Sequence, residues 1–249
     1  MKLIDKYKSP NFDERLRENK IAYLILHYTA LKTCKEAIEH LCEKKNKVSS
    51  HFLISKKGEI FYLVDLKKRA WHAGQSYWKG CNNLNSSSIG IEIDNSGHHI
   101  NFENFETEQI NALIKLLKYL IRKYKINKEN ILGHSDIAPY RKIDPGEKFP
   151  WEKLKNTNIV NLYSPLTNSN AIKLESLFDK KSLKSIKSRV LFMLQKIGYD
   201  TRLAKKNIRN YKSLISIYQM RYSKKSKFGK VDSKTYEILK SHYNQVLTN

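Results

Sequence analysis

The chain has 249 residues, 40% of them hydrophobic and 11% aromatic. That composition suffices for a folded core and excludes global disorder. Lys and Arg outnumber Asp and Glu by 47 to 24, a formal charge of +23, which favours a polyanionic partner such as nucleic acid, an anionic membrane or an acidic wall polymer. The same excess also follows from plain abundance of Lys, Asn and Ile. Three cysteines, Cys34, Cys42 and Cys81, show no short paired spacing, so a disulfide scaffold is not expected.

The opening "MKLIDKYKSPNFDERL" holds no stretch apolar enough for a signal peptide, and no segment approaches the roughly 20 apolar residues of a membrane span. As the sequence stands the expected compartment is the cytoplasm, the alternative being the periplasm or secretion by a route without a Sec signal. "IAYLILH" at 21–27 predicts a buried strand ending on a His, and "CKEAIEHLCEKK" a helix. "SSHFLISKKGEIFYLVD" predicts a hairpin around "KKGE", and "SSSIGIEIDNSG" another strand. From Thr107, residues Ile110, Leu113, Ile114, Leu117, Leu120, Ile121 and Tyr124 recur at helical spacing. "NILGH" is again a strand ending on a His.

Strands and helices mix through residue 151, which implies an α/β domain with a mixed central β-sheet flanked by helices. The polar, Asn-rich stretch near 155–170 reads as a linker. Beyond it only helical patterns occur, predicting a small three-helix domain. The expected boundaries are a catalytic domain at 1–157, a linker at 158–172 and a helical domain at 173–249. Residues 171–249 hold 19 basic and 5 acidic side chains, a net +14, so the charge is concentrated there.

The segment "GHSDIAPYRKIDPGEKFPW" at 133–151 crowds ionisable groups onto backbone stiffened by three prolines. His27 and His134 each close an apolar strand, and Asp144 follows ten residues later. If the strands are neighbours, two imidazoles and a carboxylate meet at one sheet edge, a ligand set for one catalytic zinc ion per chain. Glu92 is placed to move a proton between water and a leaving nitrogen. Lys142 offers a cation to a developing oxyanion. His51 and His72 lie near the same edge as candidates for supporting or substrate-contacting groups, and Trp78, Lys79 and Arg141 are further candidates for substrate binding. His40, His98, His99 and His242 carry no supporting context.

The blocks "HYTA", "SSHFLI", "AWHAG", "LNSSSIGIEI" and "GHSDIAPYRKIDPG…FPW" occur in this order. Together they closely resemble the zinc-dependent N-acetylmuramoyl-L-alanine amidases of the peptidoglycan-recognition type, over roughly residues 1–155. The resemblance implies a bacterial hydrolase of peptidoglycan catabolism that cuts the amide between N-acetylmuramic acid, or its 1,6-anhydro form, and the L-alanine of the stem peptide. By that likeness His27, His134 and Asp144 match the zinc ligands, and Glu92 and Lys142 the catalytic positions. "LFMLQKIGYD", "LISIYQMRY" and "GKVDSKTYEIL" resemble a peptidoglycan-binding domain, with Leu194, Ile197, Tyr211, Ile215 and Tyr218 assigned to its core. The expected partner is peptidoglycan or muropeptide, with no specific nucleic acid, and the expected state a monomer. The alternative is a peptidoglycan-binding protein without catalysis; a nucleic-acid binder or nuclease, suggested by charge alone, ranks last.

Overall fold

A computed structural model describes residues 2–15, 20–164, 185–223 and 228–248. The expected linker from 165 onward and the first part of the helical domain, 173–184, lie outside the described residues. The chain forms two compact units, each discontinuous in sequence: Met1–Ser76, Asn82–His134 and Asp144–Asn161 in the first, and Tyr77–Cys81, Ser135–Ile143 and Leu162–Asn249 in the second.

The first unit is built on a six-stranded sheet. Its strands are β1 (Leu3–Ile4), β3 (Tyr23–Tyr28), β4 (Phe52–Ile54), β5 (Ile60–Tyr62), β7 (Ser88–Ile93) and β8 (Ile131–Gly133), ordered β1-β5-β4-β7-β3-β8. β4, β7, β3 and β8 run parallel, whereas β4 and β5 form the antiparallel hairpin predicted around "KKGE". A second ribbon pairs β2 (Phe12–Glu14) with β6 (Lys68–Ala70). Leu24, Ile25, Leu26, Ile89 and Ile91 are wholly buried, so the run in β3 is apolar without alternation because both sheet faces are covered. Each such side chain contributes roughly 1.5–3 kcal/mol on burial.

Two helices cover the sheet. Helix α1 (Cys34–Cys42) starts where the Thr33 hydroxyl accepts the Glu36 N–H, and packs Ala37, Ile38 and Leu41 against Leu53, Phe61 and Leu63. Helix α3 (Thr107–Tyr124), which follows the single turn α2 (Leu84–Ser87), stops at Lys125, whose φ of 53° no helix can continue. Its buried face is Ile110, Ala112, Leu113, Leu116, Leu117 and Leu120, while Ile114, Ile121 and Tyr124 are half-buried. The buried face is therefore rotated toward Leu116 and away from Ile114 and Ile121. All three cysteines are free thiols.

The second unit is helical. It takes up most of the single turn α4 (His134–Ile137) and, after α5 (Trp151–Asn156) of the first unit, α6 (Ile186–Ile197), α7 (Arg202–Lys206), α8 (Ile208–Tyr222) and α9 (Ser233–Thr248). The three long helices are those predicted, and α7 is additional. Ser185 and Ser188 cap α6 reciprocally, and the Asn207 side chain caps α8. Leu194, Ile197, Ile215 and Tyr218 are buried as expected, whereas Tyr211 is half-buried. The segment 135–143 belongs to this unit through polar anchors: Arg221 donates to Asp136 at 2.5 Å, the Tyr199 hydroxyl donates to the same carboxylate at 2.6 Å, and Ser213 donates to the Pro139 carbonyl at 2.7 Å. Among the described residues no helix is long and apolar enough to cross a membrane.

Candidate metal centre

The parallel register aligns Leu26 of β3 with Gly133 of β8 and His27 with Glu92 of β7. Continued by one residue, the first register sets His134 beside His27, so two distant apolar strands bring two imidazoles to one sheet edge. Asp144 reaches them from the loop beyond. His27 Nδ1 lies 2.9 Å from His134 Nδ1, and Asp144 Oδ2 lies 3.2 Å from the first and 3.0 Å from the second. All three side chains are buried, and together they form a group able to hold a metal ion.

The surrounding hydrogen bonds fix which nitrogen of each ring carries the proton. His134 Nε2 faces the Ala73 carbonyl at 3.1 Å; a carbonyl only accepts, so Nε2 bears the hydrogen and Nδ1 a lone pair. Around His27 the logic runs through two more residues. The Ser88 hydroxyl donates to the Leu84 carbonyl, so its oxygen accepts from His72 Nε2 at 3.1 Å. His72 Nδ1 is then an acceptor, and it takes the Nε2–H of His27 at 3.0 Å. His27 is left with its lone pair on Nδ1. Two imidazole lone pairs and a carboxylate oxygen thus converge, with both ring orientations set from behind, which is a donor set with outer support for a metal ion. Burial raises the Asp144 pKa, but His134 and then His27 outweigh it and hold the carboxyl well below its ordinary range, as an anion.

The other predicted residues fall into distinct places. His72 is the partner of His27 just described, 6% exposed, and burial keeps it neutral with its pKa well below 6.5. His51 is wholly buried and accepts the Gly90 N–H at 3.0 Å, joining β4 to β7; burial and then the Arg15 charge lower its pKa to about 3. Glu92 is half-buried on β7, in register with His27. Lys142, Arg141, Trp78 and Lys79 belong to the second unit. There Lys142 is half-buried in the turn that returns to the Ala138 carbonyl, and Arg141 and Lys79 are exposed. Trp78 is 2% exposed and packs edge-on against Tyr199 at 4.8 Å, a core position. Ser88 carries no signal in its sequence context, since a serine opening a strand resembles any other; its approach to His72 reveals its role.

The family profile described as N-acetylmuramoyl-L-alanine amidase matches residues 17–147. The chain is 35% identical over 243 residues to the N-acetylmuramoyl-L-alanine amidase AmiD of Escherichia coli (strain K12), covering 88% of this chain and 81% of that protein. It is also 35% identical over 164 residues to the 1,6-anhydro-N-acetylmuramyl-L-alanine amidase AmpD of Haemophilus influenzae, covering 59% and 87% respectively. The solved complex of E. coli AmiD with anhydro-N-acetylmuramic acid-L-Ala-D-gamma-Glu-L-Lys superposes with a TM-score of 0.77 at 30% identity, spanning 94% of this chain and 98% of that one. AmpDh3 of Pseudomonas aeruginosa in complex with anhydromuramic pentapeptide gives 0.75 at 30% identity, over 97% of both chains. With the profile covering more than half of the sequence and both units shared with solved relatives, the chain belongs to the N-acetylmuramoyl-L-alanine amidase family.

Proposed function

We propose that the metal of this site is zinc and that the chain hydrolyses the amide between the lactyl group of N-acetylmuramic acid, or its anhydro form, and the L-alanine of the stem peptide. The observation that carries this reading is the convergence of His27 Nδ1, His134 Nδ1 and Asp144 Oδ2 within 3.2 Å of one another. His27, His134 and Asp144 would hold the zinc, which when bound would lower the pKa of water to about 7 and polarise a carbonyl. Glu92, beside His27 in register, accepts the proton of the attacking water as the oxygen bonds to the lactyl carbonyl carbon. It then delivers that proton to the alanine nitrogen as the C–N bond breaks, and the proton left on the new carboxyl passes to the amine, giving a lactyl carboxylate and a stem-peptide ammonium. Lys142, two positions before Asp144, supplies positive charge where negative charge develops on the carbonyl oxygen. Residues 171–249, with their net +14, serve to retain the protein on anionic wall polymer.

The test is to incubate the full chain, with and without chelator, with intact sacculi and with soluble anhydro-muropeptide, identifying products by mass. Release of stem peptide beginning at L-alanine, abolished by chelation and by His134→Ala, is expected. Turnover that survives both treatments would refute the metal mechanism, and tight binding of wall fragments without turnover would favour a recognition protein.

A further inference from the structure

His98 stands on the loop that leaves β7, away from the ligand cluster, yet its imidazole joins the two chain segments that carry His27 and Asp144. Its Nε2–H donates to Glu147 Oε2 at 2.9 Å, and its Nδ1 lies 2.9 Å from the Tyr28 hydroxyl. A neutral ring that donates through Nε2 accepts through Nδ1, so Tyr28 is the donor of the second bond. Tyr28 directly follows His27 on β3, and Glu147 stands three residues after Asp144. One ring therefore spans sequence separations of 70 and 49 residues to reach both segments.

The ring is itself held. Phe102 stacks on it with centroids 4.1 Å apart and planes 25° from parallel, and Lys148 Nζ donates to the Phe102 carbonyl at 2.5 Å. Gly146, between Asp144 and Glu147, has φ +81°, and a Cβ there would stand 2.5 Å from Phe102 Cζ and 2.9 Å from His98 Cε1. The loop bearing His98 is thus pressed against the backbone just beyond Asp144, in contact that only glycine permits. These contacts bear on Tyr28, next to His27, and on Gly146 and Glu147, two and three residues beyond Asp144.

We infer that His98 is a positioning residue of the metal centre: by bridging Tyr28 and Glu147 it fixes the separation between the His27 and Asp144 donors. The inference rests on the zinc reading above. It assigns His98 no contact with substrate or metal, and it requires that the two hydrogen bonds act as one strut.

The experiment measures the Zn2+ dissociation constant by competition with a chromophoric chelator, and the melting temperature of the metal-free protein, for wild type, His98→Ala, Tyr28→Phe, Glu147→Gln and the double variant of the last two. Loss of outer support at metal sites weakens affinity by about 10–100-fold, and that range is expected for His98→Ala. Tyr28→Phe and Glu147→Gln are each expected to show part of it, and to combine with less than additive effect because both cut the same strut. His98→Asn and His98→Gln, whose amides stand near Nδ1 and Nε2 respectively, should each restore a fraction. A His98→Ala protein with a lowered apo melting temperature but unchanged Zn2+ affinity overturns the inference, leaving His98 a packing residue. If His98→Ala does not fold, unchanged affinity in both Tyr28→Phe and Glu147→Gln overturns it equally. Failure of wild type itself to bind Zn2+ would instead sink the metal reading, a distinct outcome.

Discussion

His72 accepts the Nε2–H of His27 across 3.0 Å, and that contact decides which nitrogen of the ligand ring keeps its lone pair. Replacing His72 by Phe keeps a ring in the buried site but removes the acceptor, so His27 is free to carry its proton on the metal-facing nitrogen. Zn2+ affinity should fall by about 10–100-fold, read by chelator competition, while far-UV circular dichroism stays that of wild type. Unchanged affinity would show that the ring orientation is set elsewhere.

Gly90 tests the same contact from the other side. A Cβ at this position would lie 2.4 Å from His72 Cγ, and His72 has no free space to retreat into at 6% exposure. Gly90→Ala should destabilise the fold by about 1–3 kcal/mol, the range for overpacking a core, and weaken Zn2+ binding together with it. Denaturant titration and metal competition on one preparation check both; a stable variant with displaced His72 would lose only the second.

In the helical unit the pair Arg221 and Asp136 is buried on both sides, at 4% and 2% side-chain exposure. Arg221→Met leaves the Asp136 carboxylate in the interior with only the Tyr199 hydroxyl of its two anchors described above. The expected cost is about 3–5 kcal/mol, and Arg221→Met combined with Asp136→Asn should cost less than Arg221→Met alone, because no unpaired charge remains. Equal losses for the single and double variants would mean that packing, not charge, governs this position.

Acid should weaken the metal-free protein in a defined window. His51 is held to about pKa 3, and His72 and His242 well below 6.5, in each case chiefly by burial. An unfolded histidine binds its proton below about pH 6.5; these three folded side chains do so only at lower pH, so the unfolded state binds more protons and stability is lost as pH falls below 6.5, for His51 down to about 3. Each such residue contributes about 1.4 kcal/mol per pH unit while the pH lies between its unfolded and folded pKa. His242→Phe, which preserves stacking on Tyr163, should flatten the fall in stability that begins as pH drops below 6.5. An unaltered slope would place the titration elsewhere.

Much of the centre was legible because strand ends are legible. His27 and His134 each close an apolar run, and parallel pairing of two such runs is enough to set their ends side by side. The alternation of "SIGIEID" puts Glu92 on a strand of the same sheet, and the pairing of β7 with β3 sets it in register with His27. What stayed hidden depends on distance in sequence without pattern. Ser88 meets His72 across 16 residues and His98 meets Tyr28 across 70, and neither carries a local periodicity. The membership of 135–143 in the helical unit was equally invisible, since it turns on Asp136 and Arg221, 85 residues apart. Periodicity reports which face of an element is buried, but it is silent on which polar atoms meet once the faces close.

The interleaving of the two units also bears on how such a protein can be cut. A fragment ending near residue 161 would keep Asp136 and Pro139 but forfeit Arg221, Tyr199 and Ser213. The ten-residue span joining two donors would then lose these three side-chain anchors and keep the Tyr77 N–H bond to the Ile137 carbonyl. Modular swapping that treats the C-terminal helices as a detachable cassette should therefore graft new partners for Asp136, or neutralise it, before the shortened enzyme is judged.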